Sequence, residues 1–303
     1  MDLPETVRLR EVGPRDGLQA EAPIPISARV RLVEVLLAAG VRHLEVASFV
    51  SPKAVPSMAG AAEVVAAVGR PDGVVRAALV PNRRGAEMAL AAGVDELTVT
   101  IAASATYNER NVNMTIDESA AAISAIAELA SSDGVPVDAI VSCAFGSPYE
   151  GDIPPSAVAA LGRRLLDGGA STLTMADTTG MATPRRIDDV LGAVSAAALG
   201  AVGLHLHETR GTGLLNLYAG LERGVTRFDT SVGGIGGSPF AAGAAGNVAT
   251  EDVVALLDDL GIATGIDLDQ LLDASALLAE MLGHPLPSRV AHAGPRSRLA
   301  VSQ

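Results

Sequence analysis

Two histidines set two residues apart, His205 and His207, are the strongest chemical signal in the sequence. Side chains alternate faces along a strand, so both imidazoles share one face while Leu204 and Leu206 take the other. A pair of this kind at a strand end chelates a divalent cation once one or two carboxylates join it. Two hydrogen-bonded buried histidines would satisfy the same pattern. A second signal is Gly13-Pro14-Arg15-Asp16-Gly17. Proline and two glycines call for a tight turn that presents an adjacent Arg and Asp. Asp16 offers the hard oxygen that a Mg2+-like ion prefers, and Arg15 offers a counter-charge for a developing oxyanion. A surface ion pair beside a glycine turn is the plainer alternative. The third signal, Ser231 to Asn247 (SVGGIGGSPFAAGAAGN), carries six glycines in seventeen residues. It reads as a mobile loop, a lid, a phosphate cradle or a backbone that approaches a ligand closely. Asn247 at its end is either part of a helix cap or an oxygen ligand. Glu45, Asp177 and Glu208 are single acids at predicted strand ends; a salt-bridge role suits Glu208 best. Cys143, the one cysteine, reads as a small buried side chain rather than a nucleophile.

The elements that must position these groups follow from hydrophobic periodicity. Short β-rich runs are predicted at Val7–Val12, His43–Phe49, Val75–Val80, Glu96–Ala102, Val137–Ala144, Ser171–Asp177, Ala201–His207 and Arg227–Gly233. Between them lie amphipathic stretches at Ser27–Ala39, Ala61–Val68, Gly85–Ala91, Ile116–Leu129, Ser156–Leu166, Pro184–Ala198, Gly213–Glu222 and Thr250–Leu260. Ser27 and Thr183-Pro184 read as helix starts, and Gly40, Gly93, Gly168 and Gly224 as left-handed stops. Eight strand–helix units imply an α/β fold with a parallel sheet closed into a (β/α)8 TIM barrel. The chain is expected to form one domain, 1–303, with the barrel at about 7–260. A short C-terminal helical extension, 261–303, would hold a helix at Asp267–Leu282 and a tail from His284. No GxGxxG fingerprint supports an open doubly wound sheet. In a TIM barrel, catalytic groups lie where strands end. Arg15, Asp16, Glu45, Ser48, Asn82, Thr100, Asp177, His205 and His207 all fall at such places.

Composition narrows the class. The 303 residues carry a net charge of −13 and a single lysine, Lys53, which argues against a nucleic-acid or polybasic membrane surface. Aromatics make up 2%, so the core must be Val, Leu, Ile and Ala. No apolar run reaches the roughly 18 residues of a membrane span. Met1 to Arg10 has no signal-peptide apolar core. A soluble, cytoplasmic protein is expected.

Together the motifs resemble those of 3-hydroxy-3-methylglutaryl-CoA lyase, within the metal-dependent TIM-barrel lyases and synthases. The resemblance covers about Val7 to Leu272. It rests on Glu11–Glu21 (EVGPRDGLQAE), Glu45–Met58 (EVASFVSPKAVPSM), Val141–Gly151 (VSCAFGSPYEG), Ala176–Pro184 (ADTTGMATP), His205–His207, and GIGGSPFAAGAAGNVATED ending at Asp252. It implies Asp16, His205, His207 and Asn247 as ligands of a divalent cation, Mg2+ or Mn2+. Arg15 would stabilise an enolate, and Glu45 and Asp177 would organise the site. His207 or a metal water would shuttle a proton. The implied reaction is retro-Claisen cleavage of a branched 3-hydroxy-acyl-CoA to acetyl-CoA and a keto acid, as in leucine degradation. A homo-oligomer, a dimer for example, is implied as well.

The sequence also departs from that family. The family loop reads GGCP, its Cys implicated in catalysis, where this chain has Ser238. His-x-His continues Asp-Thr-Tyr-Gly in the family but Glu208-Thr209-Arg210-Gly211 here, so Arg210 suggests a further acidic group on the substrate. Ala20 and Ala22 replace an Asn and a Lys, removing a candidate CoA-phosphate contact. Two alternatives stand beside the lyase: a Claisen-condensing enzyme of the isopropylmalate or homocitrate synthase type, and a binding protein that kept the barrel and lost activity. The roughly 40 residues after Leu260 are few for the regulatory region usual in such synthases. The full donor set argues against the binding protein.

Overall fold

A computed structural model describes residues 3–196, 202–237 and 245–297. Eight parallel strands close into a barrel in sequence order: β1 Arg8–Glu11, β2 His43–Ser48, β3 Val75–Leu79, β4 Glu96–Ala102, β5 Val137–Ser142, β6 Thr172–Ala176, β7 Val202–His205 and β8 Arg227–Thr230. β8 pairs back onto β1, with Arg10 opposite Asp229. All eight predicted strands are present; β4 matches its predicted limits, and among the described residues the others are trimmed by up to three residues at an end where the chain leaves the ladder.

Helices follow in the expected places: α1 Ile26–Ala38, α2 Ala61–Val68, α3 Arg83–Ala92, α4 Ala105–Val112, α5 Ile116–Ser132, α6 Pro155–Asp167, α7 Pro184–Ala196, α8 Gly213–Glu222, α9 Thr250–Asp259, α10 Leu268–Leu282 and α11 Arg289–Ala293. Residues alternate along the strands. Leu44, Val46, Leu97, Val99, Val137, Val141, Leu173, Met175, Leu204 and Phe228 are buried in the hydrophobic core. The alternate positions behave otherwise. Arg10 reaches Asp138 on β5 at 2.9 Å, and β1 and β5 stand opposite each other in the ring, so that contact crosses the lumen. The barrel interior is therefore an ion-pair lattice rather than the usual stack of branched apolar side chains.

Several local readings change. The cap of α1 is Pro25, not Ser27, which lies inside the helix. Thr183 does cap α7, its hydroxyl accepting from the Arg186 N–H at 3.3 Å. Gly40, Gly93 and Gly224 take positive φ, but Gly168 has φ −79° and Gly169 carries the left-handed turn at φ +100°. Two short helices were not anticipated. In α4 the polar run gives little periodicity, and the start is fixed by Ser104 Oγ accepting from the Tyr107 N–H at 3.0 Å. The presumed tail contains α11, capped by Ser288. The C-terminal extension is tied to the barrel by α10, which packs on α1, and by Ser288 N–H donating to Gly233 O at 3.0 Å. Among the described residues no helix is long and apolar enough to cross a membrane.

Candidate metal centre

The run after β1 does not form a simple turn. Gly13–Gly17 is one π-helical turn in which the Val12 carbonyl accepts from the N–H groups of both Arg15 and Gly17. Buried Glu11 holds it from below. Its Oε1 accepts from Gly13 N–H at 2.7 Å and Val232 N–H at 2.9 Å, and its Oε2 from the Thr250 hydroxyl at 2.6 Å. This one carboxyl thus joins the turn after β1, the segment after β8 and the start of α9. Burial pushes its pKa up to about 7.

The turn delivers Asp16 to the lumen mouth, where its carboxylate meets both histidines. Ligand atoms of Asp16, His205 and His207 all lie within 4.8 Å of one another. The histidine tautomers are fixed from behind. His205 Nδ1 lies 3.1 Å from Asp229 Oδ2, and His207 Nδ1 lies 3.2 Å from the Ala245 carbonyl. Neither oxygen can donate, so each ring places its proton on Nδ1 and turns an Nε2 lone pair inward. The two Nε2 atoms are 3.1 Å apart. Two lone pairs at that separation repel unless a cation, a proton or a metal, lies between them.

The charges agree with that requirement. Burial would raise the Asp16 carboxyl, but Arg15, His205 and His207 together hold it down at about 2. Burial, then the neighbouring His205 charge, pushes His207 down to about 4. For His205 burial acts downward too, yet the hydrogen bond and charge of Asp229 raise it overall.

Asn247 completes the set. It is not a helix cap, since Ala249 occupies that position. Its Nδ2 donates to Asp16 Oδ2 at 2.8 Å and to Ile235 O at 3.1 Å, which fixes the amide. Its Oδ1 is then a buried acceptor with no hydrogen-bond partner. A vacant oxygen beside Asp16 and two inward lone pairs is a donor set suited to a hard or borderline divalent cation. Gly236 explains part of the glycine richness of the loop. A β-carbon there would stand 2.6 Å from Asn247 Nδ2 and 3.4 Å from Asp16 Oδ2. Backbone must approach the ligands closely at this point. Ser238, expected in the catalytic set, lies outside the described residues.

Arg15 and Glu45 form the adjoining wall. Arg15 is buried; its Nε and Nη2 engage Glu45 Oε2, and its Nη1 donates to Asp16 Oδ1 at 2.7 Å. The other Glu45 oxygen accepts from the Thr98 hydroxyl. Both oxygens of Glu45 are therefore occupied in aiming Arg15. Asp177 is less committed. Oδ1 accepts from the Met181 and Ala182 N–H groups at 2.7 and 2.9 Å, whereas Oδ2 is buried without a partner. Burial raises its pKa to about 7.

Other residues marked by the sequence serve structure. Asn82 caps α3, accepting from Gly85 N–H at 2.9 Å. Glu208 makes no ion pair among the described residues, contrary to expectation, and its Oε2 is buried without a hydrogen-bond partner. Arg210 spends Nη1 on the carbonyls of Thr179 and Gly180 at 3.0 and 2.7 Å, latching the loop after β7 to that after β6. Cys143 is buried beyond the end of β5, and burial pushes its thiol up to about 12, which fits an inert side chain. Thr100 pairs with Ser142 at 2.9 Å. Asp229 and Arg10 were missed. The available signal was charge inside strands, and the structure then pairs Asp229 of β8 in register with His205.

A family model described as HMGL-like matches residues 6–278. The chain belongs to the HMGL-like family. Among its curated relatives is the 3-hydroxy-3-isohexenylglutaryl-CoA/hydroxy-methylglutaryl-CoA lyase of Pseudomonas aeruginosa, 46% identical over 97% of this chain and 98% of the relative. The hydroxymethylglutaryl-CoA lyase of Bacillus subtilis is 41% identical over 95% and 97% of the two chains. The crystal structure of the hydroxymethylglutaryl-CoA lyase from P. aeruginosa superimposes with a TM-score of 0.94, at 45% identity, covering 97% and 98% of the chains. An HMG-CoA lyase from Acinetobacter baumannii, solved with coenzyme A and 3-methylmalate, gives a TM-score of 0.94 at 38% identity over 99% and 98%. Relatives this similar over nearly the whole chain are named as lyases, so the chain is a carbon–carbon lyase on the (β/α)8 barrel anticipated from its motifs.

Proposed function

We propose that this HMGL-like chain cleaves a 3-hydroxy-acyl-CoA, with 3-hydroxy-3-methylglutaryl-CoA as reference substrate, to acetyl-CoA and a keto acid. The supporting observation is the convergence of Asp16, His205 and His207 beside the unpartnered Oδ1 of Asn247. These four would hold a divalent cation, Mg2+ or Mn2+. When bound, such an ion polarises the substrate's 3-hydroxyl and lowers its pKa.

The chain's own groups do the rest. Asp177 has a vacant oxygen, and burial raises its pKa toward neutrality, which suits a group that both takes and returns a proton. Ionised, it takes the proton from the 3-hydroxyl as the C2–C3 bond breaks. The electron pair of that bond passes to the thioester enolate, and C3 becomes a ketone. Asp177 then returns the proton to C2, so no net proton is consumed. With Nδ1 on the Ala245 carbonyl and Nε2 the atom that would hold the cation, His207 would keep a holding role. Arg15, aimed by Glu45, retains two N–H donors for the thioester oxygen and offsets the enolate charge.

A cavity of about 570 Å3 opens between the loops after β1, β2 and β8, lined by Gln19, Ala20, Pro23, Val55, Ser57 and Gly236 among others. Among the described residues no cationic side chain lines it and Glu21 does, so it suits the neutral pantetheine arm and acyl group rather than the CoA phosphates. The P. aeruginosa relative is named for a substrate with a longer 3-substituent as well as for the methyl one, and both merit assay here. The relatives are named as lyases, which favours cleavage over the condensing alternative. The test is acetyl-CoA release from 3-hydroxy-3-methylglutaryl-CoA and from longer-branched thioesters, with Mn2+ or Mg2+ and with chelator. Release that requires the metal is expected. A metal-loaded chain that releases nothing from any branched 3-hydroxy thioester would overturn the reading.

A further inference from the structure

The lattice that fills the barrel lumen ends at a metal-ligand candidate, and its geometry is directional. Arg10 lies at the middle of β1, 3% exposed. Its Nε donates to Asp229 Oδ1 and its Nη2 to Asp229 Oδ2, both at 2.8 Å. Its remaining arm, Nη1, meets Asp138 Oδ2 at 2.9 Å and Glu96 Oε1 at 3.2 Å. Each anchor is held in turn. Asp138 accepts from Thr172, Thr174 and Arg227 at 2.6, 2.8 and 3.1 Å, and Glu96 meets His43 at 3.0 Å. The guanidinium is thereby pinned from β4 and β5 while it grips an acid on β8.

A single hydrogen bond lets a carboxylate swing about its Cβ–Cγ bond. A two-point fork fixes its plane. With that plane fixed, Asp229 Oδ2 stays 3.1 Å from His205 Nδ1. That contact selects the tautomer with the proton on Nδ1 and sends the Nε2 lone pair toward Asp16 and His207. We propose that Arg10 is a positioning residue: through Asp229 it fixes the tautomer and ring plane of His205, and so prepares the cation site before any ion arrives. This rests on the metal-dependent reading above only in what the prepared nitrogen is for. The lattice thus has a task beyond filling the lumen, since an apolar layer would fill it at lower desolvation cost.

Two substitutions at Arg10 and one elsewhere in the lattice test the proposal. Arg10→Met removes the grip, and Arg10→Lys keeps the charge but cannot hold both oxygens. Thr172→Val removes a hydrogen bond to Asp138 and so weakens the lattice while leaving every contact of Arg10 and Asp229 in place. The first readout is nitrogen NMR of the metal-free, 15N-histidine-labelled chain above pH 8, where neutral tautomers are distinguished. The second is Mn2+ affinity by electron paramagnetic resonance. Wild type is expected to show His205 as the Nδ1–H form. Arg10→Met is expected to show a mixture and to bind Mn2+ about tenfold more weakly, in the range found when partners of metal-ligating histidines are removed. Thr172→Val is expected to lower the melting temperature while leaving the tautomer unchanged and the affinity within about twofold, well below that range. If Arg10→Met does not fold, Arg10→Lys carries the same readouts. A folded Arg10 variant with unchanged tautomer and unchanged Mn2+ affinity overturns the proposal. So does a Thr172→Val chain that shifts both as far as the Arg10 variants do. Wild type that binds no Mn2+ would instead sink the metal-dependent reading, and the tautomer would still report on Arg10.

Discussion

Replacing Glu11 with Gln should change how stability depends on pH, and the size of the effect follows from the burial of that carboxyl. Glu11 is fully buried, and its pKa rises from an ordinary 4.5 to about 7. Between those values the folded chain binds more protons than the unfolded one, so unfolding free energy falls as pH rises. The contribution is fully present below about pH 4.5 and is lost as pH climbs through 7. At about 1.4 kcal/mol per tenfold change in a proton equilibrium, the loss is on the order of 3 kcal/mol. Gln mimics the protonated form. Its carbonyl can accept from the Gly13 and Val232 N–H groups, and its amide can donate to Thr250, whose hydroxyl turns to Thr230 at 3.0 Å. Glu251 is raised to about 7 by burial as well and adds a slope of the same sign, so the informative quantity is the difference between the two proteins. Urea unfolding of the metal-free chains at pH 5 and pH 8.5 measures it. Relative to wild type, Glu11→Gln should gain about 2.5 kcal/mol between the two pH values, slightly less than the full loss because pH 5 already lies above 4.5. A difference that stays constant across that range means Glu11 titrates normally and the reasoning about its burial is wrong.

Three further outcomes are expected. Asp177→Asn should lower kcat by about 10²-fold or more with KM near wild type, because the proton carrier is lost and binding groups remain; a parallel rise in KM without loss of kcat would assign Asp177 to binding instead. Gly236→Ala forces a β-carbon to 2.6 Å from Asn247 Nδ2 at φ +116°. Titration calorimetry should show Mn2+ affinity reduced at least tenfold, and unchanged affinity would mean the close approach is not needed. Ser238→Cys should raise turnover of 3-hydroxy-3-methylglutaryl-CoA, since a thiol titrating near ~8.5 would offer the enolate a second proton donor beside Asp177, which a serine hydroxyl does not. Identical steady-state rates for the two proteins would remove this position from the proton path.

The strands were legible from their recurrence between Ala-rich amphipathic stretches, most plainly in the β-branched runs of β4 and β5, and α2 and α8 match their predicted limits end to end. The pairing of His205 with His207 on one face was legible from a spacing of two, and the need for Asp16 from its place after β1. What the pattern hid was the lumen. Arg10, Glu96, Asp138 and Asp229 lie on four strands, as many as 219 residues apart for a single hydrogen bond, and only barrel closure brings them together. Their trace in the sequence is charge inside strands, Arg8 and Arg10, Arg227 and Asp229, where branched apolar residues are usual. Asn247 was ambiguous for a different reason. Which of its amide atoms is left vacant depends on Asp16 and Ile235, and neither is near it in sequence.

A crystal of the wild-type chain grown with Mn2+ and measured at the manganese absorption edge addresses the metal centre most directly. One anomalous peak is predicted at the barrel mouth, about 2.2 Å from an Asp16 oxygen, His205 Nε2, His207 Nε2 and Asn247 Oδ1. A well-ordered barrel with no peak among those four atoms, or with Asn247 Oδ1 turned away from it, would contradict the account.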